Sequence, residues 1–276
     1  MAAREHVGPS VPQPIATLAR VADLEPLLRF WRALDSAFET VEPAWWGGVV
    51  ADSRFPAIWD VNYARVETDD DALSLGEVES SLLPVMDHVG AHHVHLVVFH
   101  PERLTALLSE ASTRGDRLSW DTVMELRGKA PNAPSGIDVE EVDSNDPSFW
   151  PAYRASLGEF HIIEQDAIRQ LVDIERDVLI PAGKRWFAVR DAGHLRALGS
   201  LIGMEGVGYV DHVVTFPEAR RKGYAGAVVR RIAEEARRSD LDRVYLLTEP
   251  GAQAASLYER LGFEAIGHIA STLRQR

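Results

Sequence analysis

The feature that most constrains this sequence is a short basic turn, residues 220–226, which contains two glycines and opens an amphipathic helix. An apolar run predicted to form a strand, residues 209–216, leads into the turn through Pro217. Backbone N–H groups in the first turn of a helix have no partner within the helix, and the helix dipole adds partial positive charge there. Glycine lets a ligand approach the backbone closely. Three basic residues also lie in the turn, so it is suited to binding a phosphate or diphosphate.

The spacing of the turn distinguishes it from two common phosphate-binding loops. A dinucleotide fingerprint requires G-x-G-x-x-G and a P-loop requires G-x-x-x-x-G-K-[ST], and this turn has neither pattern. It reads R-x-x-G-x-A instead, with Arg220, Gly223 and Ala225 at the fixed positions. After a second predicted strand, residues 244–248, the chain reads L-Y-x-x-L-G-F at residues 257–263. The two motifs together are far more specific than either alone.

This pair of motifs resembles that of the GNAT superfamily of acyl-CoA-dependent N-acyltransferases, and the resemblance covers the last third of the chain. It implies an α/β fold with a GNAT-like mixed central sheet flanked by helices. It also implies an N-acetyltransferase, which transfers an acetyl group from acetyl-CoA to a primary amine by direct attack in a ternary complex. Acetyl-CoA would be a co-substrate, and no metal is expected.

The resemblance assigns roles to individual residues. Backbone groups of the predicted strand would line the pantetheine arm, and an N–H near Val213 or Val214 would stabilise the developing oxyanion. The turn would bind the diphosphate through its N–H groups. Tyr258, a phenol with an ordinary pKa of about 10, would donate a proton to the leaving thiolate, although its position also fits a core aromatic. The expected donor-binding residues are Val213, Val214, Thr215, Arg220, Arg221, Lys222, Gly223, Tyr224 and Ala225.

The general base is less strongly indicated than the other parts of the site. Family members often carry a glutamate on the central strand, at the position that Tyr209 occupies here. Asp211 lies two residues further on and therefore on the same face of the strand. We expect Asp211 to act as the base, directly or through a water. Four other residues stay open for this role: His212, Glu249, Glu159 and His161.

A second strand–helix unit, in the first half of the chain, resembles the motif region. Residues 95–103 read HLVVFHPER and precede a helical pattern, as residues 211–220, DHVVTFPEAR, precede the helix after the basic turn. This similarity predicts an internal duplication. The first copy lacks the R-x-x-G-x-A turn and so has no site for a diphosphate. We therefore expect two tandem halves, of which only the carboxyl-terminal one binds the cofactor.

Composition sets the predicted domain boundaries. Residues 1–14 contain three prolines and no periodic pattern, which predicts disorder. Residues 128–136, GKAPNAPSG, have the composition of a linker. The prediction is a disordered segment at 1–14, a degenerate GNAT-like domain at 15–128, a linker at 129–136 and a GNAT N-acetyltransferase domain at 137–276.

Two clusters of potential metal ligands are interpreted as structural. On a strand, His93 and His95 would share a face and could ligate a metal together, but no carboxylate lies at an obvious ligand spacing nearby. Asp69, Asp70 and Asp71 are more typical of a turn that precedes a helix. We therefore predict no metal site.

Composition also limits the classes of function. The formal net charge of −13 argues against nucleic-acid binding, and no apolar run reaches the ~18 residues that span a membrane. The absence of cysteine and of an apolar signal segment favours a cytoplasmic protein. We expect the acceptor to be a small-molecule amine, such as an antibiotic or metabolite, and leave a homo-oligomer open. The alternatives are acetylation of a protein N-terminus or lysine, and non-catalytic CoA binding by a regulatory protein.

Overall fold

Eleven strands form one mixed sheet in the computed structural model, which describes residues 23–128 and 136–276. The strands are β1 Thr40–Ala44, β2 Gly47–Ala51, β3 Tyr63–Val66, β4 His93–Val98, β5 Arg117–Leu126, β6 Glu140–Val142, β7 Arg185–Asp191, β8 His194–Met204, β9 Val207–Thr215, β10 Arg243–Thr248 and β11 Phe263–Gln275. The helices are α1 Glu25–Asp35, α2 Leu75–Val89, α3 Thr105–Thr113, α4 Phe149–Glu159, α5 Gln165–Ile174, α6 Tyr224–Arg238 and α7 Gln253–Arg260. No helix within these described ranges is long and apolar enough to cross a membrane.

The two halves of the chain repeat one arrangement of elements. In the first half β3 and β4 are parallel neighbours joined by α2, and in the second half β9 and β10 are parallel neighbours joined by α6. Parallel neighbours require such a crossover connection, which is usually a helix. Outside each parallel pair the strands run antiparallel. The unit β3-α2-β4-α3-β5 therefore corresponds to β9-α6-β10-α7-β11.

The last strand of each half is exchanged into the other half. The sheet order is β1-β2-β3-β4-β11-β5-β10-β9-β8-β7-β6. Strand β5 pairs antiparallel with β10, with Thr122 opposite Thr248, and β11 pairs antiparallel with β4, with Ala270 opposite Val98. The two exchanged strands also pair with each other along most of their length. Each half of the sheet is therefore completed by a strand from the other half.

The faces of the sheet are covered by different helices. On β9, Val210 packs in an apolar cluster with α6, whereas Tyr209 faces the opposite side, where its ring stacks on Phe30 of α1 at 5.3 Å between centroids. This alternation follows from the two-residue period of a strand. The cluster beneath α1 combines both halves: Val50 and Val97 from the first meet Ile202 from the second. The α1 face is thus the side on which the halves share a core.

The helix termini follow the local sequence signals. In α1, Pro26 lies in the first turn, where its missing N–H costs no hydrogen bond. In α2, Ser74 and Glu77 form a reciprocal capping box, an arrangement worth about 1 kcal/mol, and Gly90 ends the helix with a φ of 73°. Helix α5 continues into a π turn, Glu175–Leu179.

The repeat exists, but its predicted alignment is wrong by one strand. Residues 95–103 include most of β4, whose counterpart is β10, while the counterpart of β9 is β3. The local match failed because an apolar strand followed by a helix recurs in every such unit. The counterpart of the basic turn is the segment 67–74, which carries Asp69, Asp70 and Asp71. The predicted disordered segment 1–14 and all but the last residue of the predicted linker 129–136 lie outside the described residues, and the domain boundaries stay a prediction.

The strand exchange predicts that neither half folds alone. Residues 1–128 and 137–276, produced separately, should each lack a cooperative unfolding transition, because each sheet is missing its neighbouring strand. Mixing the two fragments should restore one transition, measured by circular dichroism during urea unfolding. A cooperative transition of the isolated 1–128 fragment at the midpoint of the intact chain would contradict the exchange.

Candidate active site

A gap opens between the central strands β9 and β10. They pair only where residues 207–209 meet residues 243–245, and beyond Tyr209 both strands, which are fully described, continue without pairing to each other. On the other side of β9 the register with β8 shifts, so that His212 and Val213 together stand opposite Gly199. His212 has a φ of 53°, in the left-handed region. Such a bulge bends and twists its strand, which accounts for the separation of β9 from β10.

The gap leads to the start of α6, which is open to an anion. Gly223 occupies the N-cap position with a φ of 86°, a conformation that favours glycine. Within the described residues no side chain caps α6. The first N–H groups of the helix therefore have no side-chain acceptor, and the dipole adds positive charge. Val213, Val214 and Thr215, predicted as donor-binding residues, form the end of β9 immediately before this turn.

The basic side chains of the turn lie at its exposed rim. Arg220 forms an ion pair with Glu159 of α4, and its Nε donates to the carbonyl oxygen of Thr215 at 3.2 Å. The Nζ of Lys222 lies 3.6 Å from Asp191, to which the Tyr224 hydroxyl donates at 3.2 Å. Exposed pairs of this kind contribute at most about 1 kcal/mol. They leave the backbone of the turn as its main anion-binding element.

Tyr258 of α7 lies at the inner end of the gap. Its side chain is 8% exposed, lines a large cavity and packs edge-on against Phe263. Burial raises the pKa of Tyr258 to about 12, so the phenol is protonated at neutral pH. Tyr258 is therefore a packed aromatic that also lines the cavity with a protonated phenol, and its role as a proton donor stays a prediction.

The cavity has a volume of about 700 Å³ and lies on the α1 face of the sheet, between the two halves. The second half contributes Tyr209, Asp211 and Tyr258 to its lining. The first half contributes aromatic and acidic side chains from α1, from the turn before β3 and from the exchanged strand β5. These are Phe30, Trp31, Asp35, Phe38, Asp60, Tyr63 and Asp121.

Asp211 faces this cavity but is held by a buried lysine. The Nζ of Lys184 lies 2.9 Å from a carboxylate oxygen of Asp211 and 2.9 Å from one of Glu175. Burial alone would raise the pKa of Asp211, but the ammonium of Lys184 outweighs it, and the pKa falls to about 2. The Asp211 side chain is 41% exposed, and that exposure includes the cavity. It is therefore ionised and accessible, yet weakly basic.

His212, one of the alternative bases, is neutral. Burial lowers the pKa of His212 to about 3. Its Nε2 lies 2.6 Å from the hydroxyl of Ser156, and that hydroxyl donates to the carbonyl oxygen of Tyr153. The imidazole therefore donates to Ser156. The aromatic rings of Tyr153, Phe160 and Trp186 enclose it, with centroids 4.8 to 5.2 Å away.

The other alternative bases also line the cavity. Glu159 is paired with Arg220, while His161, with a φ of 61°, and Glu249 lie at different points of the wall. His93 and His95 instead bind backbone carbonyl oxygens, at 3.0 Å from Asn62 and 3.1 Å from Trp59 respectively. Among the described residues no group of three potential ligands could hold a metal ion.

The equivalent position in the first half has none of these features. Strands β3 and β4 remain paired to their last residues, Val66 and Val98, and the N–H of Phe99 still donates to Val66. Ser74 caps the following helix, and three aspartates precede it. A closed strand pair and an acidic, capped helix start cannot hold an anionic donor.

Sequence reasoning missed the groups that come from far along the chain. Lys184 and Glu175 carry no motif, and neither do Asp60 and Asp121 of the first half. Only tertiary packing brings them to the cavity. The one available signal for Lys184 was its place directly before an apolar strand, in the pattern K-R-W-F-A-V at residues 184–189.

The model of the Acetyltransferase (GNAT) family matches residues 145–263. An uncharacterized N-acetyltransferase of Bacillus subtilis (strain 168), YobR, is 32% identical over 88 residues, which are 32% of this chain. The match spans 36% of that relative, about a third of its length.

Two solved structures are similar in fold. A GCN5-related N-acetyltransferase from Kribbella flavida superposes with a TM-score of 0.63 at 19% identity, over 89% of this chain and 94% of that one. A tandem GNAT protein from the clavulanic acid biosynthesis pathway gives a TM-score of 0.52 at 13% identity, over 72% and 69% of the two chains. The GNAT family model thus matches residues 145–263 in the carboxyl-terminal part of the chain, and the chain shares its fold with the two solved structures.

Proposed function

We propose that the protein transfers an acetyl group from acetyl-CoA to a primary amine of a small molecule. The observation that carries this proposal is the gap between β9 and β10: the cavity is lined by Val213 of β9, by residues 246–248 of β10 and by Tyr258, and β9 continues from there toward the uncapped start of α6. One orphan atom fits a ligand in the gap: the hydroxyl oxygen of Thr215 is buried without a hydrogen-bond partner in the described residues. Donor and acceptor would approach from opposite ends and meet at Tyr258.

The donor is assigned to β9 and the basic turn. The backbone groups of Val213, Val214 and Thr215 would form hydrogen bonds with the donor along the gap, as they would with an added strand. The turn would bind the diphosphate through the N–H groups of Tyr224 and Ala225, with charge added by its three basic side chains. Acetyl-CoA supplies an acetyl group activated as a thioester.

The cavity supports a small cationic acceptor. Among the described residues its lining includes seven carboxylates and a single lysine. Four of these carboxylates are in ion pairs, Asp211 and Glu175 with Lys184, Glu159 with Arg220 and Asp35 with Arg65, but acidic groups still outnumber cations in the lining. An excess of negative charge between apolar walls raises the local concentration of cationic ligands. Asp211, which is ionised, would attract the ammonium form of the amine. A cavity of about 700 Å³ with walls from both halves also suits a small molecule better than a protein lysine.

Tyr258 is assigned the role of general acid. Tyr258→Phe should lower kcat by about a hundredfold or more, because a positioned proton donor contributes that much, with little change in KM for acetyl-CoA. The measurement is release of free thiol from acetyl-CoA with a small cationic amine as acceptor. Tyr245→Phe is the control, since Tyr245 is a buried tyrosine on β10 outside the cavity. Failure of every amine to release thiol from the native enzyme would instead favour a CoA-binding protein without catalysis.

The pH dependence of kcat/KM should follow the ionisation of the acceptor amine rather than that of groups on the enzyme. Asp211 and His212 titrate near 2 and 3 and Tyr258 near 12, so none of the three changes charge between pH 6 and 9. With an amine of pKa about 10, kcat/KM should rise about tenfold per pH unit across this range as the free amine accumulates.

An inflection between pH 6 and 9 would contradict that profile. If His161→Gln removed the inflection, the base would be His161 rather than Asp211. A profile with unit slope that survives His161→Gln keeps Asp211 as the residue that binds the amine.

A further inference from the structure

Arg230, on the side of α6 that faces α7, is a shielded cation that forms no ion pair within the part of the chain that the structure describes. Its side chain is buried, and the residue as a whole is 9% exposed. The Nε atom is buried and has no hydrogen-bond partner within the described residues. Most buried polar groups in proteins are hydrogen-bonded, so an orphan of this kind indicates a missing partner.

The guanidinium reaches back to the first turn of α6. A Cβ placed on Gly226 would lie 3.6 Å from Nη2 and 3.9 Å from Nη1 of Arg230, and 3.4 Å from Cδ1 of Leu257. Gly226 is the third residue of the helix, next to the uncapped N–H groups. The charge of Arg230 therefore lies beside the open helix start, in the groove between α6 and α7.

No carboxylate of residues 23–128 or 136–276 forms an ion pair with this charge, although neighbouring arginines are paired. In the described residues Arg231 pairs with Glu235 at 2.5 Å, and Glu235 also contacts Arg238 at 3.3 Å. Burial lowers the pKa of Arg230, and the charge of Glu234 opposes this shift only partly. Glu234 itself lies 3.9 Å from Arg238. A shielded, unpaired cation destabilises a fold, so its presence next to an anion-binding turn calls for an anionic ligand.

We propose that Arg230 binds a phosphate of the acyl donor beside the first turn of α6, in addition to the basic side chains of the turn. The proposal rests on the proposed function and assigns a further residue to the donor. Gly226 leaves room for the guanidinium to lie against the helix start, and the guanidinium forks toward a phosphate as a planar, bidentate donor. The phosphate is that of a nucleotide, either a diphosphate or a ribose monophosphate.

The test compares ligands that differ in their phosphates, using the full-length protein. Arg230→Met should weaken binding of CoA by about tenfold to a hundredfold, the range for hydrogen bonds to charged groups, and leave binding of pantetheine unchanged in calorimetry. If Arg230→Met weakens binding of 3′-dephospho-CoA as much as binding of CoA, Arg230 contacts the diphosphate. If only binding of CoA is weakened, Arg230 contacts the 3′-monophosphate. Arg230→Lys keeps the charge but loses the planar bidentate geometry, so its affinity for CoA should lie between that of the native protein and that of Arg230→Met. Arg238→Met is the matched control on the same helix.

The same variant separates a binding role from a structural one. Without ligand, Arg230→Met should raise the midpoint of thermal unfolding, because it removes an unpaired shielded charge. Native affinity for CoA in Arg230→Met, or an equal loss for pantetheine with a lower unfolding midpoint, would overturn the proposal. Gly223→Asp, which places a carboxylate in the turn, should abolish CoA binding whether or not Arg230 contributes. If the native protein binds no CoA, the proposed function fails, and not this inference alone.

Discussion

The separation of β9 from β10 beyond Tyr209 is the constraint on which the rest of the site depends. Parallel neighbours in a sheet ordinarily satisfy each other's backbone groups, and leaving them apart is costly unless something else takes their place. The bulge at His212 and Val213 turns β9 away and leaves its edge free. Gly223 then begins α6 without a side-chain cap, so the unpaired edge of β9 is followed by unpaired N–H groups at the start of the helix. A ligand with amides at one end and phosphates at the other matches this sequence of backbone groups.

The first half of the chain has lost these features and gained another use. Its parallel pair stays closed and its helix start is acidic, so it offers no position for an anionic donor. Because the last strands are exchanged, however, it cannot move away from the second half. Strand β5 pairs with β10 and brings Asp121 to the cavity, and α1 places Phe30 against Tyr209. The first half thus supplies a wall of the cavity that carries aromatic and acidic side chains.

Local signals in the sequence predicted the strands and helices around the basic turn, whereas tertiary contacts determine which side chains meet in the cavity. The α6 and β10 boundaries, the glycine of the turn and the position of Tyr258 all follow from short-range pattern and spacing, because a helix start or a strand end is decided by a few adjacent residues. The exchange of β5 and β11 could not be predicted, since either strand could satisfy either neighbour. The pairing of Asp211 with Lys184 joins residues 27 positions apart and sets how basic the carboxylate is. The repeat was detected, but its register required the strand order.

The central claim is that the edge of β9 and the start of α6 together bind the donor, and hydrogen exchange tests it directly. On addition of acetyl-CoA, the amides of residues 213–215 and 224–226 should exchange more slowly, because ligand acceptors replace water as their partners. The amides of residues 67–74, the counterpart in the first half, should exchange at an unchanged rate. Slowed exchange at 67–74, or none at 213–215 and 224–226 under saturating acetyl-CoA, would contradict the account.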